Sequence, residues 1–270
     1  RQTIATVLKQ AGYRTGCVGK WHLGLDWKFT ADEERADQHN MGLKPRPGTV
    51  DYAAAFEQGP LAFGFDTCSI IPASLDMTPY VFIHDQHVVK PPTRTLPGAR
   101  FPDFYRGGPA AEDFEIDQVL DRLTDAATTF IRSSAAGDPP FFLYFPLSAP
   151  HKPVTPHDRF RDATELGPYG DFIVQCGDTV GSVLDALEES GSADNTLVVY
   201  TSDNGSFMYR RDADQLDHTD DITIEGFRPE RHRANGPWRG TKADVWEAGH
   251  RVPFFVRWPG VIAPGTVAEQ

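Results

Sequence analysis

The fold of this chain is decided by the stretch NTLVVYTSDNGS, which runs from Asn195 to Ser206. Its apolar, β-branched part, Thr196 to Thr201, predicts a buried strand of a mostly parallel sheet. The strand stops at Asp203-Asn204-Gly205, where a carboxylate and a carboxamide offer two hard oxygen ligands of the kind that Ca²⁺ or Mg²⁺ prefers. This edge of a parallel sheet is where α/β proteins bind ligands. Alone, the motif fits an ordinary turn, so its assignment depends on the rest of the chain.

Length and composition limit the class of protein. The 270 residues can form one large α/β domain or two small ones. The formal net charge of −12 argues against general nucleic-acid binding, which needs a basic surface. No apolar run approaches the roughly 20 residues of a membrane span. Cys17, Cys68 and Cys176 show no CxxC spacing, so we expect buried thiols, with neither a disulfide framework nor a zinc site.

Helical and strand patterns alternate along the chain. In order, the patterns predict helix 3–12, strand 15–18, helix 116–131, strand 141–147, helix 168–190, strand 196–201 and strand 252–258. Long irregular loops are predicted at 26–111, with a hairpin near 80–89, and at 207–237. This order predicts an open α/β sheet. The first residues resemble the inside of a domain, so we expect a fragment or a processed chain.

Further polar side chains lie just after predicted strands or in the loops beside them. Lys20 and His22 come after the first strand, and they share one side if the backbone there is extended. His151 follows the strand 141–147, and Lys242 lies in a loop before the last strand. Each of them alone fits a solvated lysine or a structural histidine. On an open α/β sheet they converge with the Asp-Asn pair, and this combination suits a tetrahedral oxyanion, either sulfate or phosphate.

Several stretches resemble motifs of the type I, formylglycine-dependent sulfatases of the alkaline phosphatase superfamily, in that family's order. They are GYRTGCVGKWH (12–22), GFD (64–66), LYFPLSAPHKP (143–153), TSDNG (201–205) and RGTKADVWEAGHRVPFFVRWPG (239–260). The resemblance covers nearly the whole chain and is nearest to the arylsulfatase A-like branch. It implies an alkaline-phosphatase-like α/β fold, with a mostly parallel central sheet and helices on both faces. It also implies a Ca²⁺-dependent hydrolase of sulfate esters.

The resemblance further implies a role for each polar residue of the expected site. The roles are metal ligation for Asp203 and Asn204, contact with the sulfate for Lys20 and Lys242, a place near the nucleophile for His22, and the ester or leaving-group oxygen for His151. Lysine is a compact cation that suits an oxyanion, and histidine exchanges a proton near neutral pH.

Two departures from the family pattern bear on activity. Type I sulfatases use a formylglycine made from a Cys or Ser in a C-x-P-S-R-type motif, and no Cys or Ser of this chain lies in one. The resemblance places that motif, with two further Asp metal ligands, upstream of Gly12, and a smaller C-terminal subdomain beyond Gln270. We therefore expect residues 1–270 to be a fragment of a sulfatase catalytic domain that is inactive alone.

Two other functions stay open. One is a metal-dependent phosphoesterase or phosphonate hydrolase of the same superfamily, and the other is a non-catalytic relative that binds anionic glycans. The upstream nucleophile would separate them. For a sulfatase we expect an aryl sulfate or sulfated glycan as substrate, selected by the loops 26–111 and 207–237. The resemblance also implies a formylglycine-generating enzyme as partner, and a periplasmic, secreted or lysosomal location.

Overall fold

The helices and strands are those of a computed structural model that describes residues 2–30, 50–99, 104–207 and 232–268. The strands are β1 (Arg14–Lys20), β2 (Thr67–Ile71), β3 (Ile83–His84), β4 (His87–Val88), β5 (Pro92–Leu96), β6 (Gly108–Ala111), β7 (Phe141–Tyr144), β8 (Val198–Thr201) and β9 (Phe254–Arg257). The α-helices are α1 (Ile4–Gln10), α2 (Val119–Ala135), α3 (Gly167–Glu189) and α4 (Glu247–His250). Within these ranges, no helix is both long enough and apolar enough to cross a membrane.

The centre of the fold is a mixed five-stranded sheet with the order β4-β3-β2-β1-β7. β1 pairs in parallel with β2 and β7, so that Cys17 lies opposite Cys68 on one side and Tyr144 on the other. β3 and β4 form the predicted hairpin and add to β2 in antiparallel orientation. The predicted α/β class is confirmed, and the antiparallel hairpin gives the sheet its mixed character.

The two faces of the sheet are covered by different elements. Phe141 meets Phe130 of α2 edge to face, with ring centroids 6.2 Å apart. The next residue along β7, Phe142, stacks on Phe65 of the segment before β2. Successive strand residues point to opposite faces, so α2 covers one face and the Phe65 segment the other. Gly16 makes the contact with α2 possible, because a Cβ there would lie 2.5 Å from the Phe130 ring.

The long helix α3 packs on α2 with a more polar buried face than its periodicity predicts. Thr124 of α2 and Thr179 of α3 lie 3.1 Å apart through their buried hydroxyls. Ile173, which was predicted to be buried, is exposed. Asp171 is buried instead, and its carboxylate accepts hydrogen bonds from the backbone N–H groups of Asp162 and Thr164, both at 2.9 Å. The helix thus uses a carboxylate to hold the loop that precedes it.

The strand predicted at 196–201 exists as β8, but its environment differs from the prediction. It pairs with β9 in a separate two-stranded antiparallel ribbon. Val199 is 50% exposed and Phe254 of β9 is 65% exposed. The prediction of a buried strand in a parallel sheet is therefore wrong for β8 in the described part of the chain. An apolar, β-branched run reports a preference for strand structure, whereas burial depends on which neighbours cover the strand.

The three cysteines are free and buried, as predicted. Burial raises the pKa of Cys17 far above its ordinary value, with Cys68 adding to the effect. Burial also raises the pKa of both Cys68 and Cys176 to about 12. All three side chains are therefore protonated, weakly reactive thiols near neutral pH.

Candidate active site

A cavity of about 520 Å³ lies where β1, β7 and β8 end. Five of the six predicted site residues line it, and they come from four segments of the chain: Lys20, His151, Asp203, Asn204 and Lys242. His22 follows two residues after Lys20. The structure thus brings together side chains that the sequence separates by more than 200 positions.

The turn that carries Lys20 and His22 is hydrogen-bonded on both sides. Lys20 donates its backbone N–H to the carbonyl of Pro146 at 2.8 Å, and His22 donates to the carbonyl of Pro72 at 3.0 Å. Gly19 has φ +129°, and a Cβ there would overlap the carbonyl oxygen of Pro146. The backbone turns left-handed at His22, with φ +53°, so the extended conformation ends there. Glycine and this turn fix the position of both functional side chains.

Positive charge dominates this end of the cavity. Burial lowers the pKa of Lys20 below its ordinary value; the Asp203 carboxylate opposes this effect and Lys242 adds to it. Burial, followed by the charge of Lys20, also lowers the pKa of His22. Partly buried cations that repel one another are stabilised by an anion, because it removes both the repulsion and the desolvation penalty. The arrangement therefore favours an anionic ligand.

His151 presents one ring nitrogen to the cavity and uses the other to hold its own loop. Its Nδ1 lies 2.6 Å from the carbonyl oxygen of Lys152. A carbonyl can only accept, so Nδ1 carries the proton and Nε2 is left for a ligand. Burial, followed by Lys242, lowers the pKa of His151 to about 4. With these neighbours the imidazole is neutral at pH 7, and a bound anion that offset Lys242 would raise its proton affinity.

Asp203 and Asn204 lie in a tight turn after β8. Gly205 donates to the carbonyl of Gly249 at 3.0 Å, and a Cβ at Gly205 would overlap the carbonyl oxygen of Ala248. The two side chains offer adjacent oxygen ligands, which fits part of the sphere of six to eight oxygens that Ca²⁺ takes. Within the described ranges, no group of three or more His, Cys, Asp or Glu side chains could hold a metal ion. The pair thus fits a calcium site as part of its ligand set.

The loop that carries Lys242 is tied to the same turn. Lys242 donates its backbone N–H to the carbonyl of Ser206 at 3.1 Å. Asn235 brackets Ser206 from the other side, since its Oδ1 accepts from the Ser206 N–H at 2.8 Å and its Nδ2 donates to the Ser206 carbonyl at 3.0 Å. The predicted specificity loop 207–237 thus contributes Asn235 to the wall, while 208–231 lie outside the described residues, as do 31–49 and 100–103 of the first loop.

Three further residues beside the site escaped prediction. Asp76 is 3% exposed, and its carboxylate accepts a 2.6 Å bond from Arg106 and a hydrogen bond from the Ser74 hydroxyl. Asp76 lies close enough to His22 and His151 to affect their charge states. The region 26–111 was predicted to be irregular, so β2 was missed. A strand prediction at 67–71 would have placed Ser74 and Asp76 at the same sheet edge.

The fold and the site together define an α/β protein whose basic residues line a cavity where the strands of its sheet end. The family model described as Sulfatase matches residues 1–270. The chain is 32% identical to an N-acetylgalactosamine-6-O-sulfatase of Bacteroides thetaiotaomicron, over 97% of this chain and 52% of that protein. It is 31% identical to the steryl-sulfatase of Rattus norvegicus, over 99% of this chain and 48% of that protein. The chain belongs to the type I sulfatase family of the alkaline phosphatase superfamily.

Solved structures agree with this family. A Bacteroides thetaiotaomicron sulfatase, studied for the metabolism of glycosaminoglycans, matches with a TM-score of 0.73 and 30% identity, over 97% of this chain and 56% of that one. A sulfatase from Pseudoalteromonas sp. matches with a TM-score of 0.63 at 22% identity, over 97% and 46%, and shares the fold. The chain spans about half the length of the curated relatives that it matches.

Proposed function

We propose that residues 1–270 are part of the catalytic domain of a sulfuric ester hydrolase that cleaves sulfate monoesters. The observation that carries this proposal is the convergence of Lys20, His151, Lys242 and the Asp203-Asn204 pair on one cavity, in a chain of the sulfatase family. Because two relatives are named for N-acetylgalactosamine 6-sulfate and steryl sulfate, we include sulfated sugars and hydrophobic sulfate esters among the substrates to test.

Each basic residue has a role that its surroundings support. Lys20 and Lys242 bind the sulfate oxygens, since both line the cavity and the charge of Lys242 opposes the cationic form of Lys20 until an anion is bound. His22 lies beside them near the point of attack. His151 faces the leaving-group oxygen with Nε2, because Nδ1 is held by the Lys152 carbonyl. The bound sulfate offsets the lysine charges, which lets Nε2 of His151 take up a proton from solvent and pass it to the leaving-group oxygen as the S–O bond breaks.

Asp203 and Asn204 would hold a Ca²⁺ ion, with Mg²⁺ as the alternative. When bound, the ion would neutralise charge on a sulfate oxygen. Following the resemblance to type I sulfatases, we place its remaining ligands, including two aspartates, upstream of Arg1. This assignment is consistent with the pair's position at the cavity, close enough to Lys20 for mutual electrostatic stabilisation.

We also place the nucleophile, a formylglycine made from a Cys or Ser, upstream of Arg1. The cysteines of this chain support that placement, because all three are buried and carry raised pKa values. A thiol in that state is neither a nucleophile nor accessible to a modifying enzyme. The full-length protein would then need a formylglycine-generating enzyme as its maturation partner, and it would act in a periplasmic, secreted or lysosomal compartment.

The test compares residues 1–270 with the full-length protein that carries them, produced together with a maturing enzyme. The full-length protein should release nitrophenol from 4-nitrophenyl sulfate, and its activity on 4-nitrophenyl phosphate should be at least tenfold lower. Residues 1–270 should give no release above background, because a nucleophile is lacking. Preference for the phosphate would favour a phosphoesterase, and turnover by residues 1–270 that depends on Asp203 would overturn the placement of the nucleophile.

A further inference from the structure

Asp76 is a buried carboxylate that the proposed chemistry does not use. It lies in the loop after β2 and is 3% exposed. A charged group at this depth is costly unless it is paired and hydrogen-bonded. It lies close enough to Lys20, at the cationic end of the cavity, to affect the charge of that lysine.

The carboxylate of Asp76 is held from both sides. Arg106 donates from Nη1 to Oδ2 at 2.6 Å and to the Asp76 carbonyl at 3.1 Å, and its backbone N–H donates to the same carbonyl at 3.1 Å. The Ser74 hydroxyl donates to Oδ1. Arg106 is fixed in turn, because the buried Tyr80 hydroxyl donates to its carbonyl at 2.7 Å. This clamp leaves the carboxylate one orientation.

The clamped loop is joined to the turn that carries the basic residues. The backbone N–H of Trp21 donates to the carbonyl of Ile71, and that of His22 donates to Pro72, both at 3.0 Å. Ser74 and Asp76 therefore follow directly from a segment that is hydrogen-bonded to the catalytic turn.

The carboxylate also lies within electrostatic range of the basic groups themselves. For His151, Lys242 and Lys20 disfavour the protonated ring, whereas Asp76 favours it. The Asp76 pKa is itself lowered: burial opposes that shift, while the Ser74 hydrogen bond, His151 and Arg106 produce it, so the group is ionised at neutral pH. The Arg106 that holds Asp76 and the Lys152 next to His151 also lie against the same aromatic ring, at 5.8 Å and 4.8 Å from the centroid of Phe104. Asp76 is thus a negative charge in the neighbourhood of the imidazole that the proposed function uses.

We propose that Asp76, clamped by Ser74 and Arg106, is a positioning residue that acts through His151 and keeps its imidazole ready to protonate the leaving-group oxygen. This inference rests on the proposed function of the site. The negative charge of Asp76 favours the protonated imidazole, which the positive charges of Lys242 and Lys20 disfavour. The hydrogen bonds from Ser74 and Arg106 keep the carboxylate from turning toward the lysines.

A second buried aspartate provides the matched control. Asp171 is 2% exposed, and it accepts hydrogen bonds from Asp162 and from the N–H and hydroxyl of Thr164. Its partners are neutral donors of a surface loop. The same Asp→Asn change at Asp171 therefore reports the cost of disturbing a buried carboxylate whose hydrogen bonds, among the described residues, go to Asp162 and Thr164 and not to the basic residues of the cavity.

The experiment measures kcat and KM of the full-length protein on 4-nitrophenyl sulfate and on an alkyl sulfate. Asp76→Asn should lower kcat on the alkyl sulfate at least tenfold more than on the aryl sulfate, because only the alkyl leaving group needs the proton. In an Asp76→Asn/His151→Ala double variant, the alkyl loss should match that of His151→Ala alone. Asp171→Asn should change both substrates by the same factor.

Equal losses on both substrates, or losses that multiply in the double variant, would overturn the role of Asp76. Should Asp76→Asn fail to fold, Arg106→Gln replaces it, and a smaller loss with the same dependence on leaving group is expected. Absence of turnover in the wild type would instead count against the proposed function. In that case, NMR of histidine-labelled full-length protein decides: the His151 pKa should fall in Asp76→Asn and stay unchanged in Asp171→Asn. An unchanged His151 pKa in Asp76→Asn would overturn the proposal.

Discussion

The site has a cationic half (Lys20, His22, His151 and Lys242) and an oxygen-ligand half (Asp203 and Asn204), and the two halves differ in the structure that supports them. Lys20 ends β1, an inner strand of the five-stranded sheet, where Cys17 and Val18 are buried. Asp203 follows β8, whose two-stranded ribbon with β9 exposes most of its side chains. Lys20 is therefore held by the core, whereas the oxygen ligands stand on a strand with little burial of its own, and Lys242 is hydrogen-bonded to the turn after that strand. Core elements open with the global unfolding of a protein, and poorly buried elements open locally at lower cost.

This difference assigns separate tasks to the two halves. In the proposed function the lysines and His151 should be preorganised before a substrate arrives, because reorientation of the groups would cost free energy during the reaction. A Ca²⁺ ion bound by the Asp-Asn pair would add to the order of that half, since a ligand that binds only the folded state stabilises it. Substitutions in the cationic half should thus affect chemistry or the whole fold, and those in the oxygen-ligand half should affect metal binding.

The largest effect is expected at His151. In the full-length protein, His151→Ala should cost 10²- to 10⁴-fold in kcat/KM on an alkyl or sugar sulfate, the usual range for general acid catalysis. It should cost little on 4-nitrophenyl sulfate, whose leaving group tolerates negative charge. The measurement is kcat/KM for both substrates between pH 5 and 9. Equal losses on the two substrates would mean that His151 binds the sulfate and donates no proton. The cationic half would then have no described group that protonates the leaving-group oxygen.

The next largest effect is expected at Gly19, which allows the backbone before Lys20 to pack against Pro146. Gly19→Ala should destabilise the chain by about 3 kcal/mol or more, because it adds a clash with the Pro146 carbonyl to the strain of φ +129°. Gly12→Ala is the matched control, since Gly12 also has a positive φ but has no atom near the added Cβ. It should cost about 1 kcal/mol. Urea denaturation measures both, and similar losses would show that the core does not hold the turn as tightly as described.

The same contrast explains which parts of the molecule the sequence predicted. The strands at β1 and β7 and the helices α2 and α3 follow from periodicity, and the polar residues at their ends follow from the rule that α/β sheets bind ligands at one edge. The exposure of β8 could not be predicted, because an apolar run looks the same whether or not another element covers it. In α3, burial of Asp171 depends on a loop that the helix pattern does not contain.

The clamp around Asp76 was missed for a related reason. Ser74 and Asp76 are close in sequence, but Arg106 approaches them from 30 residues further on, through a loop with no regular pattern. Pairing between charges at that separation leaves no periodic signal in the sequence. His151 was found from its motif, whereas the direction of its pKa shift required knowledge of its distance from Lys242.

A smaller effect is expected in the oxygen-ligand half. Asp203→Ala should weaken Ca²⁺ binding to the full-length protein at least tenfold, because it removes an anionic ligand. Without Ca²⁺, the same change should alter stability by less than about 0.5 kcal/mol, since the side chain is exposed. Asp194→Ala, at another exposed position before β8, is the control. Calorimetric titration and thermal unfolding give both values, and unchanged affinity in Asp203→Ala would rule out the ligand assignment.

The smallest effect is the dependence of stability on pH through His151. Its pKa is about 4 in the folded chain, below the ordinary histidine value of 6.5, so the unfolded chain binds the proton more readily. Stability should therefore be highest above pH 6.5 and should fall as the pH drops toward 4. Between pH 7 and pH 5 the loss of unfolding free energy that is due to His151 should be about 1 kcal/mol, because the partly exposed ring is screened by solvent.

Urea denaturation at both pH values should show a smaller loss of unfolding free energy in His151→Gln than in the wild type. Lys242→Gln should also reduce the loss, since it removes a neighbouring charge that disfavours the protonated ring. If the wild type and both variants lose the same stability, the imidazole does not face the lysine cluster in solution, and the preorganised charge that distinguishes this half of the site would have to come from elsewhere.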